Sequence, residues 1–123
     1  MNDLYSRFLG IDIGKQEFIS HLKGDDKTRT YQNNRIGFKK FANEHSDTLS
    51  GTLIVLETTG GYESKLLDFL LAKNASVHRA DTRKVKNFIR SFGQQAKTDS
   101  LDAKALAQYG YERQNTLALF EQS

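Results

Sequence analysis

Two acids stand in or beside stretches of this chain that are otherwise apolar. Asp12 lies between Ile11 and Ile13, and Glu57 follows the apolar run of residues 53–56. Burying a polar group without a hydrogen-bond partner costs about 2–7 kcal/mol, and burying a charge costs more. A buried strand that carries a carboxylate therefore needs a cation or a hydrogen-bond network beside that carboxylate.

Two further acids lie close together near the end of the chain. Asp99 and Asp102 are three residues apart, a spacing that puts them on one face of a helix. The same pattern can instead cap a helix, with Asp99 as the N-cap residue and Asp102 near the third helical position. Together with Asp12 and Glu57 it favours metal ligation, and the two roles can coexist.

The chemistry that such a set of acids supports is phosphoryl transfer. Mg²⁺ prefers carboxylate, water and phosphate oxygens as ligands. Two such ions about 4 Å apart can stabilise both the attacking and the leaving oxygen. We therefore expect a site for Mg²⁺ or Mn²⁺ at Asp12, Glu57, Asp99 and Asp102. Asp12 would be the bridging ligand, because a central strand is the most rigid platform available.

Positive charge is concentrated in one window of the sequence. The whole chain has a formal net charge of +3, whereas residues 79–97 alone carry +5 and leave −2 for the rest. Basic residues beside an acidic site suit a phosphodiester substrate, although an isolated charge run is more often a solvated helix face. We expect nucleic-acid contacts from the basic side chains Lys15, Arg83, Lys86, Arg90 and Lys97. Lys15 and Lys97 could instead only balance the charge of the acids.

The pattern of apolar residues predicts an α/β domain. Continuous apolar runs at 8–13 and 52–57 indicate central strands, and strands are also expected at 17–22, 27–32 and 75–80. Helices are expected around 36–42, at 62–73, from 81 or 82 to about 92, and at 99–113. This order matches a ribonuclease H-like (RuvC-like) mixed five-stranded sheet flanked by helices. In that fold the first and fourth strands are adjacent, which makes Asp12 and Glu57 neighbours.

Composition excludes several classes of protein. The chain has no cysteine, which rules out disulfides and thiolate metal sites and agrees with a reducing cytoplasm. No segment approaches the roughly 20 apolar residues of a membrane span, and the N-terminus lacks a signal-peptide pattern. We expect a catalytic domain at residues 1–114 and a C-terminal tail at 115–123.

Three smaller assignments follow from local patterns. Tyr62 and Ile36 are expected on the apolar sides of their helices, and Glu63 is expected to stabilise a helix N-terminus. The glycine pair before Tyr62 is expected to form a tight turn. The three histidines, His21, His45 and His78, are scattered and fit no zinc-binding spacing.

Three motifs resemble those of a known family. Residues 10–15, 57–63 and 96–107 are similar to the N-terminal domain of the DEDD transposases. These are recombinases of bacterial insertion sequences, are related to the Piv DNA invertase, and have a RuvC-like catalytic domain. The resemblance implies the tetrad Asp12, Glu57, Asp99 and Asp102. It also implies Mg²⁺- or Mn²⁺-dependent cleavage and exchange of DNA strands in transposition.

The resemblance implies partners as well. Members of the family carry a second, C-terminal domain that supplies a nucleophilic serine, and the tail at 115–123 would lead towards it. In part of the family an RNA encoded by the element guides the choice of DNA. The full-length protein would form a homo-oligomer and act in the bacterial cytoplasm, associated with the nucleoid.

Other functions are compatible with the same residues. A stand-alone ribonuclease H-like nuclease or junction resolvase would cut nucleic acid without a further domain. A catalytically silent nucleic-acid-binding module would tolerate loss of Asp12 but not charge reversal at Arg83, Lys86 and Arg90. An actin-like ATPase shares a similar sheet, but the short chain lacks a second nucleotide-binding half.

Overall fold

The strands form one mixed sheet, as the sequence predicts. The computed structural model describes residues 4–46, 49–57, 60–91 and 103–120. The elements, in chain order, are β1 (Arg7–Ile13), β2 (Glu17–Leu22), β3 (Arg29–Gln32), α1 (Arg35–Glu44), β4 (Thr52–Glu57), α2 (Ser64–Ala72), β5 (Ser76–Ala80), α3 (Thr82–Arg90) and α4 (Ala103–Arg113). The five strands lie in the order β3-β2-β1-β4-β5. β1 pairs antiparallel with β2 and parallel with β4. The α/β class is confirmed, and the strand order is consistent with a ribonuclease H-like fold.

Helices cover both faces of the sheet, which explains why β1 and β4 read as continuous apolar runs. Alternate side chains along a strand point to opposite faces. Leu9 and Ile11 of β1 lie in a cluster with Phe41 of α1 and Leu66 of α2. We call this side of the sheet the α1–α2 face. Phe8 lies instead in the cluster that includes α3 and α4, on what we call the α3–α4 face.

Small residues let α4 approach the sheet on the α3–α4 face. A Cβ atom built on Gly10 of β1 would overlap the main-chain carbonyl oxygen of Ala103 in α4. A Cβ atom on Gly110 of α4 would lie 2.7 Å from Val55 Cγ2 of β4. Glycine is therefore required at these two positions because of the close helix–sheet packing.

Two of the helix starts carry side-chain caps. Asn34 Oδ1 accepts a hydrogen bond from the Gly37 N–H of α1 at 3.0 Å. Asp81 Oδ1 accepts one from the Arg83 N–H of α3 at 2.8 Å. The expected start of the third helix at Asp81 or Thr82 is thereby confirmed.

Some expected boundaries and burial assignments are wrong. β3 begins at Arg29 rather than at residue 27, and α2 begins at Ser64 rather than at 62. The turn before α2 persists through residue 63 because Gly60 and Gly61 adopt φ values of 70° and 100°. Tyr62, which precedes the helix, is consequently 48% exposed. Ile36 is 73% exposed in the first turn of α1.

The chain after α4 runs along the outer strand of the sheet. The Phe120 N–H donates a hydrogen bond to the Val77 carbonyl of β5 at 2.7 Å. His78 Nδ1 lies 2.6 Å from the Ala118 carbonyl oxygen. This segment covers the free edge of β5, which would otherwise present unpaired main-chain groups. Within the described residues, no helix is long and apolar enough to cross a membrane.

Candidate catalytic site

Asp12 and Glu57 lie at the carboxyl ends of adjacent parallel strands. The register pairs Ile11 of β1 with Leu56 of β4, so the two acids follow at the same level. Gly10, two residues before Asp12, faces α4, and so does Val55, two residues before Glu57. Because side chains alternate along a strand, both acids belong to the α3–α4 face. Their expected adjacency is confirmed, and their role as metal ligands stays a prediction.

The Glu57 carboxylate is half-buried and sits in a mixed electrostatic environment. Burial raises its pKa, and the negative charge of Asp12 acts in the same direction. A hydrogen bond from Thr82 Oγ1 to Glu57 Oε2, 3.2 Å long, and the nearby Lys86 ammonium both act to lower that pKa. A divalent cation would stabilise the ionised form of a carboxylate that burial and a neighbouring acid both disfavour.

A cavity opens beside Asp12 on the same face of the sheet. It is lined by Asp12, Ile19, His21, Asp25, Asp26, Thr28, Ala103 and Lys104. His21 is only 7% exposed, and its Nδ1 has no hydrogen-bond partner among the described residues. Sequence reasoning gave His21 no role, although antiparallel pairing of β2 with β1 puts it opposite Gly10. The signal was the alternation of β2 combined with the strand pairing, rather than the spacing of the histidines.

The described residues include only part of the expected metal-ligand set. Asp99, Asp102 and Lys97 lie outside the described residues. Within residues 4–46, 49–57, 60–91 and 103–120, no group of three or more His, Cys, Asp or Glu side chains could hold a metal ion. Asp12 and Glu57 are hard oxygen donors of the type that Mg²⁺ and Mn²⁺ prefer. They fit such an ion chemically but make up only half of the expected ligand set.

An ion pair with a buried carboxylate connects the turn that follows β4 to β5. Glu63 is 1% exposed, and its Oε2 lies 2.8 Å from Arg79 Nη2 of β5. Glu63 Oε1 also accepts a hydrogen bond from the Gly61 N–H at 3.2 Å. Glu63 therefore joins the turn to β5, a role that the expected helix-terminal stabilisation did not include. Arg79, counted above in the basic window, is paired with this buried carboxylate, although its own side chain is 37% exposed.

Asn33 joins the two loops that follow the acids. Its Nδ2 donates to the Gly14 carbonyl at 2.9 Å and to the Tyr62 carbonyl at 3.1 Å. Gly14 comes two residues after Asp12, and Tyr62 comes five residues after Glu57. Asn33, for which the sequence predicts no role, therefore connects the loop after β1 to the turn after β4.

The expected basic residues of α3 share one groove next to Glu57. We call it the proximal groove, and it is lined by Asp81, Thr82, Arg83, Lys86, Asn87 and Arg90. Thr82 connects it to the acids, because the same hydroxyl donates to Glu57. Lys15 is exposed just beyond the end of β1. The grouping of Arg83, Lys86 and Arg90 follows from their placement on the polar side of the helix.

A mixed sheet with paired acids at its central strand ends and a basic helix beside them matches the ribonuclease H-like class. Comparison with known proteins gives a narrower result. A family model described as a transposase, of the DEDD type and the IS110 group, matches residues 9–123. The chain belongs to this transposase family.

Curated relatives agree with that membership. The chain is similar to the pilin gene-inverting proteins of Moraxella lacunata and Moraxella bovis, each 31% identical over 110 residues. The matched region covers 84% of this chain and 34% of each relative. The chain thus spans about a third of the length of the curated relatives that it matches.

Proposed function

We propose that this chain is the catalytic domain of a DNA transposase or site-specific recombinase that cuts and exchanges DNA strands with Mg²⁺ or Mn²⁺. The observation that carries the proposal is the placement of Asp12 and Glu57. They end two adjacent parallel strands on one face of the sheet, beside the groove that contains Arg83, Lys86 and Arg90. Membership in the transposase family supports DNA as the substrate.

Asp12 and Glu57 would hold the metal ion, with Asp99 and Asp102 as the further ligands. The bound ion would supply positive charge that stabilises the charge developing on a phosphoryl group. The chain's own contribution is to present the acids on rigid strands and to orient Glu57 through the Thr82 hydroxyl. The Lys86 ammonium, whose charge acts to lower the pKa of Glu57, would also lie near the phosphate.

The basic side chains would hold the nucleic acid. Arg83, Lys86 and Arg90 would bind phosphates in the proximal groove without reading sequence. Lys15 and Lys97 flank the acids in the sequence and would contact the phosphate that is cut. The proposal therefore predicts that binding weakens steeply with salt concentration, because each phosphate contact releases counterions.

The full-length protein would contain further parts of the machinery. The relatives are named for inverting a pilin gene, and this supports a rearrangement of DNA rather than its degradation. A C-terminal domain with a nucleophilic serine, assembly into a homo-oligomer and, in some members, a guide RNA are extensions that rest on the family resemblance. The site of action would be the bacterial cytoplasm.

The test is the Asp12→Asn substitution in the full-length protein. We expect DNA strand cleavage to fall by about 10³-fold or more, equivalent to roughly 4 kcal/mol of transition-state stabilisation. Asp68→Asn is the matched control, because Asp68 is an exposed acid on α2, across the sheet. Both variants should unfold at temperatures close to that of the unsubstituted protein. Cleavage that survives Asp12→Asn would overturn the assignment.

A further inference from the structure

A second groove lies on the side of α3 that faces α4. We call it the distal groove, and it is lined by Lys84, Asn87, Phe88, Tyr109, Arg113 and Thr116. The proximal groove, next to Glu57, is lined by Arg83, Lys86 and Arg90. Asn87 lines both grooves. The helix α3 therefore forms a ridge with a basic groove on each side.

The distal groove has the chemistry of a phosphate-binding surface. Lys84 and Arg113 are exposed, and none of the described residues that line the groove carries a carboxylate. The Arg113 guanidinium lies over the Phe88 ring at 5.2 Å from its centroid. Such a cation–π contact restricts the side chain without neutralising its charge. Arg113 is thereby held ready to donate hydrogen bonds to an anionic oxygen.

The spacing of the two grooves is set by the helix between them. An α-helix with its side chains is about 10–12 Å across. The major groove of B-form DNA is about 12 Å wide and admits one helix between its two backbones. The major groove of an A-form RNA duplex is too narrow and deep for side chains to enter. A ridge of this width with positive charge on both flanks therefore matches duplex DNA.

We propose that α3 lies between the two phosphodiester backbones of a DNA duplex, with one backbone in each groove. This proposal rests on the proposed function for its choice of DNA. The strand in the proximal groove is the one next to Asp12 and Glu57. The complementary strand contacts Lys84 and Arg113, and Asn87 lies between the two backbones.

The test is the salt dependence of binding, measured with the chain in EDTA so that no strand is cut. The double variant Lys84→Gln/Arg113→Gln is compared on duplex DNA, single-stranded DNA of the same length and duplex RNA. For duplex DNA we expect affinity to fall about tenfold and the slope of log K against log salt to become shallower by about 2. For single-stranded DNA we expect little change, because one strand occupies only the proximal groove.

Two further double variants distinguish a failure of this inference from a failure of the proposed function. Lys39→Gln/Lys40→Gln removes the same charge from the exposed side of α1, across the sheet, and should leave the slope unchanged. Arg83→Gln/Arg90→Gln should weaken binding to duplex and single strand alike. If it does so while Lys84→Gln/Arg113→Gln has no effect on the duplex, only the present inference fails. If neither pair has an effect, the nucleic-acid interface of the proposed function fails as well.

The remaining outcomes overturn the two-backbone arrangement. An equal loss on single-stranded DNA would mean that both grooves follow one backbone. A loss seen with duplex RNA and not with duplex DNA would assign the distal groove to RNA. Circular dichroism and thermal unfolding of each variant should show that the fold is retained, since Lys84 and Arg113 are exposed.

Discussion

The two faces of the sheet differ in how they pack and in how polar they become near the acids. On the α1–α2 face, large side chains fill the space between the layers. Phe41 makes edge-to-face contacts with Phe18 and Tyr31, at centroid distances of 5.7 and 5.4 Å. On the α3–α4 face, Gly10 and Gly110 bring the helix against the strands. Edge-to-face aromatic pairs also occur on the α3–α4 face, and the close approach of α4 to the strands adds to that packing there.

The difference shows how a small domain separates stability from function. Beyond Gly10 and Val55, the α3–α4 face turns polar at Asp12 and Glu57, and its outer helix carries the basic grooves. The α1–α2 face stays apolar, with Ile11 and Leu56 paired just before the two acids. Changes on the α1–α2 face should therefore alter stability alone, whereas changes on the α3–α4 face should alter stability and ligand binding together.

The largest expected effect on stability comes from Phe41→Ala. Removing this fully buried ring should lower the free energy of unfolding by about 3–5 kcal/mol. Affinity for Mn²⁺, measured by titration well below the unfolding temperature, should stay within about twofold. Phe41→Leu serves the same purpose if the alanine variant does not fold. A Mn²⁺ affinity that falls with either folded variant would show that the two faces are not independent.

Gly10→Ala should lower stability by a smaller amount, and it should also weaken Mn²⁺ binding. The new Cβ would overlap the Ala103 carbonyl oxygen, so α4 must shift away from β1. This shift should lower the free energy of unfolding by about 1–3 kcal/mol. Because Ala103 and Asp12 line one cavity, Mn²⁺ affinity should fall as well. Gly14→Ala is the matched control, since its Cβ would lie 3.2 Å from the Glu17 carbonyl oxygen, a milder contact. Equal losses in urea unfolding for the two variants would contradict the packing argument.

The smallest expected effect is a gain in stability, from Glu57→Gln. Burial and Asp12 raise the pKa of Glu57 above 4.5, so the folded state binds the proton more tightly than the unfolded state does. Its ionisation therefore lowers stability as the pH rises through that raised pKa. Glu57→Gln should increase the free energy of unfolding at pH 8 in EDTA, by no more than about 1 kcal/mol. The gain should disappear below about pH 4.5.

Glu44 provides the opposite case at the end of α1. A hydrogen bond from the Tyr31 hydroxyl, and the Arg29 guanidinium, lower the pKa of Glu44 below 4.5. Its stabilising contribution is present above that pH and is lost as the pH falls through the lowered pKa. Glu44→Gln should therefore destabilise the fold at pH 8. Urea unfolding of both variants at several pH values checks the two signs, and the same sign for both would refute this account.

The sequence predicted the order of strands and helices along the chain from its apolar runs. The match of that order to a ribonuclease H-like fold then predicted that Asp12 and Glu57 are neighbours. It did not predict the exposure of Tyr62, since that depends on the glycine turn delaying the start of α2. It also missed the Glu63–Arg79 ion pair and the position of His21 beside Asp12. The ion pair and the position of His21 both depend on residues from separate elements, and only the assembled fold brings such residues together.

The most direct test of the central claim, that Asp12 and Glu57 form one divalent-metal site, is a crystal of the chain soaked in Mn²⁺ at pH 8. At that pH the Glu57 carboxylate should be ionised. The account predicts an anomalous peak within ligand distance, about 2–2.5 Å, of oxygen atoms from both Asp12 and Glu57. Mn²⁺ bound only elsewhere, with these two carboxylates turned away from each other, would contradict it.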